Sequence, residues 1–219
     1  MTNYGWKIVS GADYRDMAIS QDAFWRTIFG RRSIRRYRPE PVPREVIERV
    51  LTAAIWAASA HNRQPWRFLV ITRPEVKQAL AEAMGQRWRR DLSREGWDEE
   101  AIRAKVARSH QRLTQPPALI LGSLTMVDMD AYDEPRLQEA ERIMAVQSLA
   151  LALGNLMLAA YHEGLGTCWM CAPLFAQEEV RAALDLPEDW EPQALISLGW
   201  PDEVRESTRR LLEEVTVWK

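Results

Sequence analysis

The sequence predicts an α+β fold in which a few strands sit among flanking helices. Three observations carry that reading. Short apolar runs of strand length recur at Trp66 to Thr72, Ala118 to Val127, Thr167 to Cys171 and Gln193 to Trp200. Between them lie segments whose apolar residues repeat at helical spacing. No repeat, low-complexity stretch or linker divides the 219 residues. One domain is therefore expected over 1–219, with an N-terminal arm (1–20) and a C-terminal extension (203–219).

Taken in order, Ser20 is placed to cap a short helix carrying Phe24, Trp25 and Ile28, with Gly30 as its stop. A basic turn follows, Arg31-Arg32-Ser33-Ile34-Arg35-Arg36-Tyr37-Arg38. Pro41 and Pro43 introduce a helix on which Val46, Ile47, Val50, Leu51, Ala54, Ile55 and Ala58 share a face. Ser59 to Gln64 breaks that pattern, and Pro65 closes it before the first strand. Pro74 opens a helix expected to run to about Met84. The charged stretch from Gly85 to Leu113 reads as two more helical pieces, the second capped by Asp98, with too few apolar positions for a core element. Pro116-Pro117 end it ahead of the second strand.

Beyond an acidic loop, Asp128 to Glu134, the run Ile143 to Tyr161 is apolar on all sides and nearly long enough to span a bilayer. Gln147, Ser148 and Asn155 within it, and charge at both ends, favour a helix buried centrally or at a subunit interface. Gly164 and Gly166 stop it. Gln177 to Leu184 is the last long helix, and a charged tail follows the fourth strand.

Lys plus Arg total 29 against 31 Asp plus Glu, a formal net charge of −2. Such a chain has no global field to hold nucleic acid or an anionic membrane, and neither is expected as a partner. The 47% hydrophobic content suffices for a core. Two cysteines exclude a disulfide scaffold and fit a reducing compartment, and no charged-then-apolar leader opens the sequence, so a cytoplasmic location is expected. Ten tryptophans imply large aromatic walls, in the core or around a flat ligand.

Three features bear on chemistry. The basic turn packs five arginines and a serine into eight residues. It is either a solvated loop or a phosphate grip, since guanidinium forks bind phosphate oxygens in pairs. Asn62 and Gln64, between a helix and a strand, present carboxamides of both hydrogen-bonding signs, suited either to capping helix ends or to meeting a planar heterocycle. Cys168 and Cys171 form a C-x-x-C inside an apolar run rather than at a helix N-terminus, and read as packing residues. His61, His110 and His162 lack ligand spacing, so no metal site is expected. Signatures of a Rossmann unit, a P-loop, a zinc hydrolase and a serine hydrolase are all missing.

These pieces resemble the FMN-dependent nitroreductase family. The likeness rests on Arg31 to Tyr37, on Ser59-Ala60-His61-Asn62-Arg63-Gln64-Pro65-Trp66, on Gly164 to Trp169 and on Arg209 to Val215. It implies a central antiparallel sheet among helices and an intertwined homodimer with two FMN molecules at its interface. Arg31, Arg32, Ser33 and Arg35 would hold the FMN phosphate, joined by Arg209 from the tail, with Arg210 as the competing register. Asn62 and Gln64 would contact the flavin, while Ser59, Ala60 and His61 line its ring from the partner subunit. Trp169, Met170 and Cys171 would pass its other face. Members often carry a proline before the serine and a glycine where His61 stands; here Ala58 precedes Ser59. FMN carries the hydride, so no catalytic side chain is implied, and the electron donor would be NAD(P)H.

Gln86 to Leu92, Gly164 to Trp169 and Asp189-Trp190-Glu191-Pro192 are similar to a narrower group, the C-terminal FMN domain of the two-domain enzymes that build the deazaflavin coenzyme F-420. The resemblance implies a free-standing version that reduces a dehydro precursor of that coenzyme. The alternatives are a broad nitro- or quinone reductase and a non-catalytic flavin or deazaflavin carrier. In the narrower reading the Trp88 to Trp97 segment forms a lid, with Trp88, Arg89 and Arg90 meeting an anionic substrate; the bland alternative is a solvated helix.

Overall fold

The four apolar runs pair into a single sheet. In the computed structural model, which describes residues 23–219, β1 (Trp66–Ile71), β2 (Ala118–Leu124), β3 (Gly166–Met170) and β4 (Glu191–Gly199) lie in the order β1-β2-β4-β3. All three pairings are antiparallel, as expected, with Trp66 opposite Leu124, Ile120 opposite Ile196, and Trp169 opposite Ile196 from the other side. The expected N-terminal arm and the cap at Ser20 lie outside the described residues.

Alternation along the strands sends successive side chains into two different layers. Ile120, Leu124, Ala194, Ile196 and Leu198 pack in one core with α2 (Arg44–Ile55) and α5 (Pro135–His162). Ile71, Leu119, Leu121 and Leu195 pack in the other, against Leu80 and Met84 of α3 (Pro74–Arg94), Leu113 of α4 (Glu99–Thr114) and Val180 of α6 (Gln177–Leu184). The result is a sheet covered by helices on both faces.

The long apolar helix, α5, spans 28 residues and buries Ala145, Leu149, Ala152, Leu153 and Leu156. It is long and apolar enough to cross a membrane, yet one side lies on α2 and the sheet, while Ile143 and Leu151 stay exposed. Just past it, Gly164 takes a φ of +81°, the left-handed turn that ends a helix without a Cβ clash.

Three expectations need correction. α3 does not stop near Met84 but runs 21 residues to Arg94. It passes through Gly85, where a Cβ would stand 3.2 Å from Val106 of α4, so this glycine brings two helices together rather than ending one. The α3–α4 pair is also more than a solvated surface, because Leu92, Ile102 and Leu113 are buried. Asp98 does cap α4, accepting from the Ala101 amide at 2.9 Å. β2 ends at Leu124 rather than Val127: the Thr125 amide still donates to the Pro65 carbonyl in the β1 register, but Pro65 has no N–H to carry the ladder on.

Candidate functional site

After α1 (Ala23–Gly30) the basic turn runs along the outer side of β3. Ser33 forms a bridge with Thr167, the Ile34 amide donates to the Thr167 carbonyl at 2.8 Å, and Tyr37 pairs with Pro201. Gly166 permits this approach, for a Cβ there would lie 2.8 Å from the Ile34 Cβ. Glu203, at the start of the C-terminal extension, clamps the turn from beyond β4. One carboxylate oxygen accepts from the amides of Arg35 (2.6 Å) and Arg36 (3.2 Å), the other from Arg205 (2.8 Å). Burial pushes the Glu203 carboxyl up, but those hydrogen bonds outweigh it and leave the group below the usual carboxylate range.

The arginines of the turn then divide. Burial, followed by the nearby charges of Arg209 and Arg32, holds the Arg31 guanidinium below its ordinary value. Arg31 and Arg209, far apart in sequence, therefore stand near enough for their charges to repel. Cations held together repel unless an anion joins them, and a phosphate accepts from several guanidinium groups at once. Arg32 turns back on α1, its Nη1 donating to the carbonyls of Phe29 (2.6 Å) and Arg31 (2.9 Å). Its Nε is buried with no hydrogen-bond partner among the described residues, beside a hollow of about 570 Å³ that also borders Gly164 to Gly166. Repelling cations and an orphaned donor fit the phosphate end of FMN.

Arg35 points elsewhere, into a cavity of about 1050 Å³ between the sheet and the α3–α4 pair. Trp169, Met170 and Cys171, at the end of β3, line it together with Tyr37 and Trp88. The Trp169 indole donates to the Cys171 sulfur at 3.0 Å. Burial pushes the Tyr37 phenol well above its usual range, so it stays a neutral donor, bonded to the Ile34 carbonyl (2.5 Å) and paired with the Ser197 hydroxyl (2.7 Å). Burial likewise pushes the Cys168 thiol up, against the pull of Arg35, Arg112 and Arg31. Both cysteines are free, and Cys168 is a protonated thiol rather than a reactive thiolate.

Of the lid residues, Trp88 reaches this cavity, but Arg89 and Arg90 are absent from its lining. They are held instead by Glu99 and Glu179, each at 2.6 Å. The cations that do line it beside Arg35 are Arg87, Arg94, Lys105, Arg108 and Arg112. Sequence reasoning missed Arg108 and Arg112, although their spacing with Lys105 signals one helix face. It also missed Glu203, whose hold on the turn carries no local signal because the Arg35 and Arg36 amides lie more than 160 residues away in sequence.

Ser59, Ala60, His61, Asn62 and Gln64 lie apart from all of this. They precede β1, which is three strand spacings from β3, ~14 Å. A single chain does not bring the two groups together. The Ala60 amide donates to Ser148 of α5 (3.2 Å), the Gln64 amide to Ser59 Oγ (3.1 Å), and the Gln64 carboxamide to Asn62 Oδ1 (3.3 Å). His61, Asn62 and Gln64 all take positive φ, between 49° and 56°, a conformation L-residues adopt at a cost of about 1–3 kcal/mol each.

Residues 28–200 match the nitroreductase family. The chain belongs to that family. It is accordingly an FMN-dependent oxidoreductase with a nitroreductase-like α+β fold. Over 202 residues it is 36% identical to the NADH dehydrogenase of Thermus thermophilus, covering 86% of this chain and 92% of that one. A nitroreductase-type protein from Desulfovibrio desulfuricans, solved in complex with FMN, superposes with a TM-score of 0.70 at 26% identity, covering 91% and 98% of the two chains. A BluB-like flavoprotein from Clostridium difficile shares the fold, with a TM-score of 0.76 at 24% identity over 88% and 97%.

Proposed function

We propose that this chain, as a cytoplasmic homodimer, accepts hydride from NAD(P)H and passes it through FMN to a small conjugated acceptor in the 1050 Å³ cavity. The observation that carries the reading is the approach of Arg209 to Arg31 beside β3, next to a cavity walled by Trp169 to Cys171. FMN supplies the hydride chemistry; the protein has to hold its phosphate, orient its ring and keep water out. Arg31, Ser33 and Arg209 hold the phosphate. Trp169, Met170 and Cys171 border the ring, and Asn62 and Gln64 reach a flavin on the neighbouring copy. A second copy also accounts for apolar surface one chain leaves bare, Trp56, Leu151, Val217 and Trp218 among it.

A narrower acceptor, the dehydro precursor of a deazaflavin, is favoured by the likeness of Gln86 to Leu92 and Asp189 to Pro192 and by a cationic cavity wall suited to a phosphorylated substrate. The absorption spectrum of the purified protein tests the cofactor: two flavin bands and a released chromophore with the mass of FMN are expected. NAD(P)H-driven turnover of a nitroaromatic, a quinone and the dehydro precursor then ranks the acceptors. A colourless protein that takes up no FMN would refute the whole reading.

A further inference from the structure

On α4, Lys105, Arg108, Ser109 and Arg112 recur at the spacing of one helix face, and all four line the 1050 Å³ cavity. Opposite them stands Arg94, at the end of α3. The arginines of α3 and α4 in and beside this cavity fall into two sets. Arg87, Arg89 and Arg90 are each neutralised, by Asp91 and Glu179, by Glu99 and by Glu179. Arg94, Arg108 and Arg112 have no carboxylate in ion-pair range among the described residues. The acids that border the cavity are already engaged: Asp91 accepts from Arg87 at 2.9 Å, and Glu95 from the Trp97 indole at 3.2 Å. Lys105 sits 4.2 Å above the Trp97 ring, a cation–π contact that fixes it without cancelling its charge.

Like charges one turn apart on a helix destabilise it, and a chain with 31 carboxylates has partners to spare. An unneutralised row beside Trp88 and Trp169 instead suits an aromatic molecule that brings its own negative charge. We infer that the α4 face is an anion subsite of the acceptor pocket, in which Arg108 and Arg112 select aromatic acceptors bearing a carboxylate or phosphate over neutral ones. This rests on the cavity being where the acceptor binds.

The test compares 4-nitrobenzoate and 4-nitrophenyl phosphate with the neutral 4-nitrobenzamide, in the FMN-loaded protein and in the variant R108Q/R112Q. The wild-type protein should prefer the anions, and the variant should lose at least tenfold of that preference in kcat/KM, through KM. The carboxylate and phosphate arms show which anion the row suits better. Direct binding of benzoate, read from tryptophan fluorescence, should weaken by a similar factor and should weaken with salt in the wild type. The variant Arg103→Gln, on the same helix but off the cavity, should leave the anion preference intact. Equal loss for charged and neutral acceptors, or an unchanged ratio, would overturn the inference. So would a tenfold weaker FMN affinity in R108Q/R112Q with the acceptor ratio preserved, which would assign the row to the cofactor. Absence of bound FMN would overturn the functional reading instead, and the benzoate titration would still report on the row.

Discussion

Replacing Gly166 by alanine probes how the basic turn is held. The added Cβ would lie 2.8 Å from the Ile34 Cβ and 2.9 Å from its Cγ2, whereas carbon atoms rest ~3.5–4 Å apart. The turn must therefore move outward by about 1 Å. That shift would stretch the Ile34 amide–Thr167 carbonyl bond, now 2.8 Å, past hydrogen-bonding range. Overpacking costs about 1–3 kcal/mol and the lost hydrogen bond about 1 kcal/mol, giving roughly 2–4 kcal/mol. For a chain of this size that lowers Tm by roughly 5–15 °C. In the proposed reading the same movement would carry Arg31 and Ser33 off the phosphate, and losing one charge-assisted hydrogen bond of about 1.5–3 kcal/mol would weaken FMN by roughly ten- to a hundredfold. Thermal melts of the FMN-free protein read the first effect, and titration of FMN by flavin fluorescence quenching reads the second. If G166A melts and binds FMN like the wild type, close packing of β3 on Ile34 is not what positions the turn.

Arg31→Ala and Arg209→Ala should each weaken FMN about ten- to a hundredfold while leaving the melting temperature of the FMN-free protein unchanged or raised, because each removes a repulsion; titration and melting curves read both. His61→Gly relieves a left-handed L-residue and should stabilise the fold by about 1 kcal/mol, seen as a higher denaturant midpoint. Glu203 titrates lower in the folded chain than unfolded, so its stabilisation is full above its unfolded pKa of about 4.3 and fades as pH falls through the folded value. Glu203→Gln should therefore melt below the wild type at pH 7, and the gap should close in acid; a pH-independent gap would contradict the linkage.

What the sequence made legible depended on how local the determinant was. All four strands follow from short apolar runs with bounding turns, α6 matches the helix expected over Gln177 to Leu184, and Asp98 was readable as a cap because its partner is three residues away. The end of α3 was misplaced because the pattern changes from apolar to charged after Met84, while the helix continues through Gly85, whose missing side chain admits Val106 of α4. That Arg209 belongs with the Arg31 turn was an expectation from family resemblance alone, since charge counts cannot join residues so far apart in sequence. The aim of Arg89 and Arg90 was misjudged for a related reason. Helical spacing fixes which residues share a face but not which face meets a cavity, and those two are drawn away by Glu99 and Glu179.

The bridge between Ser33 and Thr167 has a consequence beyond ligand binding. β3 is an outermost strand of mostly apolar sequence, the kind that recruits other chains into aggregates when its amides are bare. The arginine-bearing turn occupies that rim, so the segment proposed to grip the anion also acts as a safeguard against self-association. Mutations that peel it away would be expected to cost solubility together with flavin content, and the two traits would be inherited as one.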